Sequence, residues 1–279
     1  MKSQETLFEI APAADWNEAY PLGNGRIGAM IFDGTADDVV ALSEDTLWSG
    51  RPDSEYPVVL KDTLPMLRRL LREGRYTEAS DRFWKICGEK PGPGFRDSAV
   101  FVTAGNLHII ADDPAARGYT RMLDLRRAVD TCSYTGTCGK VSSTAFCSYP
   151  DAVFVKRIRS ARARNYRLGF DSPVKGSVSA TGNEFFFDGV CPAWARKTET
   201  ATYETADGLT GIAFRVAVRA IAPGAAVAAA DDQLVIDGAR DLLLLVAIRS
   251  NFKDCDTNPE DSGIDFRALC RADLDAAEA

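Results

Sequence analysis

Gly23, Gly25 and Gly28 in the stretch WNEAYPLGNGRIGAMIFDG spell G-x-G-x-x-G. That spacing cradles a dinucleotide pyrophosphate when a strand precedes it and a helix follows. Here Pro21 precedes the glycines, and the apolar run after them is short and stops at the turn pair Asp33-Gly34. A dinucleotide-binding enzyme is therefore the remotest reading. The residue types favour recognition of a carboxylate or carbonyl instead. Arg26 stands at the mouth of a tight turn, where Asn24 and its flanking glycines take positive φ at little cost. The next apolar run ends in an acidic–aromatic patch, Glu44, Asp45 and Trp48. The plainer role for Arg26 is to pin its own loop to Glu44 or Asp45, since guanidinium and carboxylate pair readily. Asn24, Arg26, Glu44, Asp45 and Trp48 form the candidate site, read as a substrate rim or a domain interface.

A β-hairpin must position these groups. Ile27, Ala29 and Ile31 alternate with Gly28, Met30 and Phe32, so the two sets face opposite ways. The loop DGTADD follows, and Val39 to Leu42 returns as the partner strand. Gly28 inside a strand marks a bulge or a close backbone approach. Adjacent Glu44 and Asp45, if both extended, point to opposite faces.

Other chemistry is narrowed by composition. The chain has 279 residues, 46% hydrophobic and 26% charged, an ordinary globular balance. Its formal charge of −7 offers no basic surface to nucleic acid. No run approaches the roughly eighteen apolar residues of a membrane span. The one histidine, His108, lies in a strand pattern, GNLHII, and reads as a satisfied strand residue. It has no second histidine with which to build a zinc site or triad, so no metal or cofactor is expected. Seven scattered cysteines without CxxC spacing fit reduced thiols. Cys132 and Cys138, around SYTGT, are the one pair that a hairpin could bring together. The cysteine pattern and the absence of an apolar signal core favour a cytoplasmic chain, with export still open.

Carboxylates are many, but Asp37-Asp38, Asp112-Asp113 and Asp231-Asp232 read as turn residues. An inverting glycosidase needs two carboxyl groups about 6.5–9.5 Å apart across one sugar, and no such pair stands out. No residue is therefore assigned as catalytic. Trp16, Trp48, Trp84 and Trp194 could stack on sugar faces, although large aromatics are more often core or interface residues.

The rest of the chain is organised around strands. TLFEI, within 5–15, reads as a first strand. A helix pair is expected over about 60–87. Asp62 or Thr63 would cap the first helix, Pro65 would sit in its first turn, and Gly74 would end it. Leu64, Leu67, Leu70 and Leu71 are its apolar stripe; Tyr76, Ala79, Phe83 and Cys87 line the second helix. Residues 88–97 are a Gly/Pro loop. Strands are expected at 99–103, 106–111, 131–135, 141–148, 152–160, 166–171, 175–180, 184–187, 211–221, 233–237 and 241–249. Turn pairs such as Asp207-Gly208 and Asp237-Gly238 punctuate them. An amphipathic helix closes the chain, with Phe266, Leu269, Cys270 and Leu274 on one face.

PLGNGRIGAMIFDG followed by LSEDTLWSGRP resembles the opening of the family 95 glycoside hydrolases, the α-L-fucosidase group. The helix pair, written LRRLLREGRYTEA, is similar to the family's, and a second segment carries the resemblance through Tyr119, Arg121, Leu123, Asp124, Leu125, Ala128, Phe146, Ser148, Pro150 and Asp151. Ser43 stands where the family writes Asn, and Asp33 where it writes Gly. The resemblance implies a mainly β fold: a large antiparallel β-sandwich of the supersandwich type, with an inserted helix pair and a C-terminal linker helix. Residues 1–250 would be the sandwich. Residues 251–279 would begin a linker towards an (α/α)6 barrel beyond this chain, where the family's catalytic carboxylate lies. The expected function is a non-catalytic domain of an inverting glycoside hydrolase, inactive alone, whose partners are its own barrel and an oligosaccharide, with no nucleic acid and no membrane. A free-standing carbohydrate-binding sandwich is the alternative.

Overall fold

The computed structural model describes residues 5–52, 59–89, 99–111, 116–193, 195–197, 203–205 and 210–279. Trp194, Asp112-Asp113, Asp207-Gly208, the Cys87 side chain and most of the 88–97 loop lie outside this set.

Two long strands, β9 (Val153–Asp171) and β16 (Gln233–Ser250), pair antiparallel along nearly their whole length. The first half of β9 pairs with β8 (Gly139–Ser148), which continues through β7 (Val129–Gly136) and β6 (Arg117–Asp124) to β1 (Thr6–Glu9). Its second half pairs with β5 (Gly105–Ala111), followed by β4 (Asp37–Glu44), β3 (Ile27–Ile31) and β2 (Tyr20–Gly23). The later half of β16 carries β14 (Thr210–Ile221), β11 (Glu184–Pro192) and β10 (Lys175–Thr181), and its start carries β15 (Ala226–Ala230). The result is one curled, 14-stranded antiparallel sheet, with β12 (Ala195–Lys197) and β13 (Tyr203–Thr205) paired apart from it. Its two arms close on a shared core: Ile27, Leu42 and Leu107 of one belong to the same buried cluster as Leu123, Phe154 and Phe214 of the other.

The break between arms explains two departures from the sequence expectation. Residues 233–237 and 241–249 are one strand, because Asp237-Gly238 forms an irregularity rather than a turn. The register with β9 slips between Ile236 and Ala239, Gly238 takes φ +80°, and its N–H is held by Asn165 Oδ1 at 2.9 Å. A bulge bends a strand, which lets each half serve a different layer. Likewise 152–160 and 166–171 are one strand. The polar link between them looks like a turn, but Arg164 is buried and donates to Tyr134 Oη at 2.7 Å and to the Thr35 carbonyl at 2.6 Å. Residues 99–103 form no ladder strand; a single bridge joins Trp48 to Phe101, strapped by Ser49 N–H to the Val100 carbonyl and Val102 N–H to that of Leu47.

In β3 the expected alternation holds, with Ile27, Ala29 and Ile31 buried. A Cβ on Gly28 would come within 2.6 Å of Ser43 Oγ across the ladder, the close approach that a strand glycine signals. β7 and β8 form the expected hairpin without a Cys132–Cys138 bridge: Cys132 is a buried thiol.

The helix pair is α1 (Val59–Arg72) and α2 (Tyr76–Glu89). α1 starts before the expected cap, so Asp62 falls in its first turn, where a negative charge favours the helix dipole, and Pro65 falls beyond it. Gly74, at φ +73°, closes α1, with Arg75 N–H on the Leu70 carbonyl at 2.9 Å. Leu67, Leu70 and Ala79 are buried; Leu64, Leu71, Tyr76 and Trp84 are exposed.

The last helix, α3 (Phe266–Glu278), is capped by Asp265 Oδ1 on Ala268 N–H and packs across the outer face of the sheet. Cys270 and Leu274 bury against Val153, Phe186, Ala217, Leu245 and Ala247. Arg249 binds Asp273 at 2.6 and 2.7 Å, and Arg219 binds Asp275 at 2.7 Å and Glu278 at 2.8 Å.

Candidate functional site

The three glycines of the G-x-G-x-x-G run bracket the β2–β3 turn, and a strand, not a helix, follows them. Asn24 builds this turn. Its Oδ1 accepts the N–H groups of Arg26 at 3.0 Å and Ile27 at 2.8 Å, and its Nδ2 donates to the Ser148 carbonyl at 2.7 Å. Asn and Asp favour turns because their side chains satisfy backbone groups a few residues on.

The turn delivers Arg26 to Glu44, directly across the ladder from Ile27. Arg26 Nη2 lies 2.7 Å from Glu44 Oε1, and the Glu44 side chain has no solvent exposure. Glu44 Oε2 accepts Thr46 N–H at 2.9 Å and Thr46 Oγ1 at 2.5 Å, and that hydroxyl lies 2.6 Å from Ser250 Oγ at the end of β16. Burial pushes the Glu44 carboxyl up to about 7, while the Thr46 donors and Arg26 pull it back only in part.

Asp45 is exposed in the turn that follows β4, so strand alternation does not decide its direction. Its N–H bonds to the Arg26 carbonyl at 3.0 Å, and its own carbonyl takes Trp48 Nε1 at 3.0 Å. Trp48 meets Phe101 edge-on at 5.4 Å, and both rings are nearly half exposed. The five expected residues therefore gather at one end of the fold, in two tiers. Half-buried Asn24 and Arg26 brace the buried Glu44, and Asp45 and Trp48 form an outer rim. A carboxyl sealed under the ladder cannot reach a substrate, so Glu44 anchors the loop; the aromatic rim is the part open to a ligand or another domain.

Sequence reasoning missed a second charged group. Lys156 is fully buried, with Nζ 3.1 Å from Asp33 Oδ1 and 2.6 Å from Asp38 Oδ2. Asp33 and Asp38, read as turn residues, are thus core ligands of an ammonium group; Asp33 holds φ 56° to reach it. Asp130 is also buried, beside Asp33. Burial, then the charge of Asp33, pushes Asp130 up to about 8; burial raises Asp38 to about 6 against the pull of Lys156. Burial alone would lower Lys156, but the surrounding carboxylates outweigh it and shift it upward. Asp33 and Asp38 also line a small cavity of about 20 Å³, with Cys132 and Tyr134. The signal was present: Lys156 shares the inward parity of Phe154 and Ile158.

His108 is held between two carboxylates, Nδ1 at 2.8 Å from Asp37 Oδ2 and Nε2 at 2.7 Å from Asp171 Oδ2. Partial burial disfavours its cation, but the two hydrogen bonds outweigh that and raise its pKa. Asp124 ends β6, where its Oδ1 accepts the N–H groups of Arg126 and Arg127, and Asp151, in the turn between β8 and β9, accepts from the Ser148 hydroxyl.

Residues 7–255 match the family model described as glycosyl hydrolase family 65, N-terminal domain. Alpha-L-fucosidase 2 of Arabidopsis thaliana is 29% identical over 274 residues, a span of 93% of this chain and 32% of that protein. Probable alpha-fucosidase A of Aspergillus oryzae is 31% identical over 178 residues, covering 59% of this chain and 23% of its own. Among solved structures, a putative kojibiose phosphorylase from human microbiome superposes with a TM-score of 0.52 at 11% identity, covering 98% of this chain and 35% of that one. That likeness concerns the fold. The chain spans about a third of the length of the Arabidopsis relative.

Proposed function

The chain belongs to the glycosyl hydrolase family 65 N-terminal-domain family, and on that footing we propose that it is the non-catalytic β domain of a longer, fucosidase-like glycoside hydrolase. The observation that carries this reading is the match through residues 7–255 combined with a span of only 32% of a fucosidase relative. The parent enzyme is read as a family 95 member acting by inversion, with its catalytic carboxylate in an (α/α)6 barrel that follows this domain. The domain buttresses that barrel, and α3, docked on the sheet by Arg219 and Arg249, sets the direction in which the chain leaves it. Its partners are the barrel and, through it, an oligosaccharide; nucleic acid and membrane are not among them, and the cytoplasm is its proposed compartment.

In this reading Asp45 and Trp48 are the rim that meets the barrel or the bound sugar, and Asn24, Arg26 and Glu44 hold that rim in place. The brace supports it: half-buried Arg26 is held by fully buried Glu44, so the turn that carries it is fixed in place. Replacing Arg26 by Ala in the full enzyme tests the idea. Reduced turnover or a lower melting temperature is expected; unchanged kinetics and unchanged melting would sink the rim.

A further inference from the structure

Beside β1 and the segment that leads from it into β2 lies an open groove of about 850 Å³. Phe8 and Trp16 line it, and both are more than half exposed. Tyr20 and Arg121, both buried, form its floor, and Glu9 and Glu18 bring carboxylates to it.

The exposed Trp16 sits on a loop built to hold it. Asp15 Oδ1 takes Asn17 N–H at 2.7 Å, and Glu18 Oε2 takes Ala14 N–H at 2.8 Å. Arg121 ties the same segment to β6 at two points: Nε donates to the Ala11 carbonyl at 2.9 Å and Nη2 to that of Glu18 at 3.0 Å. The guanidinium lies 4.3 Å over the Tyr20 ring, and its Nη1 has no acceptor among the described residues. A buried arginine thus fixes a loop whose most prominent side chain is a large ring left in water. Preorganised aromatic walls beside a few polar groups are how ligand sites combine contact area with orientation.

We propose that this groove is a binding subsite for a neutral oligosaccharide, with Trp16 as its stacking platform. The apolar C–H face of a sugar ring fits an indole face, and the Glu9 and Glu18 carboxylates accept from hydroxyls at its edge. The groove is not the rim described above: Tyr20 pairs with Ile31, whereas the Arg26 turn follows Gly23, at the opposite end of the β2–β3 ladder. Choosing a sugar over another flat ligand rests on the proposed function, so the test separates the two.

The chain is titrated with 2′-fucosyllactose and with maltotriose, by tryptophan fluorescence and calorimetry, as wild type, Trp16→Ala and Trp84→Ala. Turnover of 2′-fucosyllactose by the full enzyme is measured in parallel. Saturable binding by the wild type and Trp84→Ala, weakened at least about tenfold in Trp16→Ala at unchanged melting temperature, is the expected result. Equal binding by all three variants overturns the subsite. So does a Trp16→Ala change confined to the stability of the full enzyme, which would mark the groove as a protein contact. Turnover without sugar binding at the groove overturns the subsite alone; neither turnover nor binding overturns the function as well.

Discussion

Arg26, just before β3, reaches Glu44 at the end of β4 with Nη2 and Oε1 2.7 Å apart, and Glu44 has no exposure to solvent. The pair makes the stability of the fold depend on pH. Glu44 is raised from its ordinary 4.5 to about 7. A carboxyl with a raised folded-state pKa contributes stability that is complete below 4.5 and is lost as pH climbs through 7. The urea midpoint of the wild type should therefore fall over this window. Glu44→Gln should flatten part of that slope, leaving the share of Asp38 and Asp130. Identical slopes would contradict the assignment.

Among the described residues, Lys156 is the cation bound to Asp33 and Asp38. Lys156→Met leaves buried carboxylates without a counter-charge, a loss of about 3–5 kcal/mol near neutral pH. Asp38, raised to about 6, takes up a proton between neutral pH and pH 5, so the loss should shrink near pH 5. Denaturant unfolding at both pH values checks this. An equal loss at each would mean that the carboxylates do not titrate as a group.

His108 is the only histidine, so its ring protons form a single assignable set in a proton spectrum. With carboxylates on both nitrogens, its titration midpoint should lie above the ordinary 6.5. Asp171→Asn removes one partner and should lower it. The contribution to stability is complete below 6.5 and is lost as pH rises through the shifted midpoint. A midpoint at or below 6.5 in the wild type would contradict the bridged geometry.

Much of the site was legible because local rules govern it. Period-2 alternation placed Ile27, Ala29 and Ile31 inward and Gly28 announced a close approach, whereas Asp45 leaves the strand for a turn. The Arg26–Glu44 pin was one of two pairings that the spacing allowed. The Lys156 cluster was less visible. Asp33 and Asp38 share the β3–β4 hairpin, but Asp130 lies on β7 and Lys156 on β9, and only long-range pairing brings these to them. Arg164 and Asp237-Gly238 misled for the same reason. A polar link and a turn dipeptide look like strand ends until tertiary contacts bury the first and bulge the second.

The central claim is that this chain lacks catalytic machinery of its own. Its most direct test is to incubate purified residues 1–279, shown folded by circular dichroism, with p-nitrophenyl α-L-fucoside and 2′-fucosyllactose. The account predicts no release of nitrophenol or fucose above the buffer blank. Turnover that survives repurification and scales with protein concentration would contradict it and place an active site within the sheet described above.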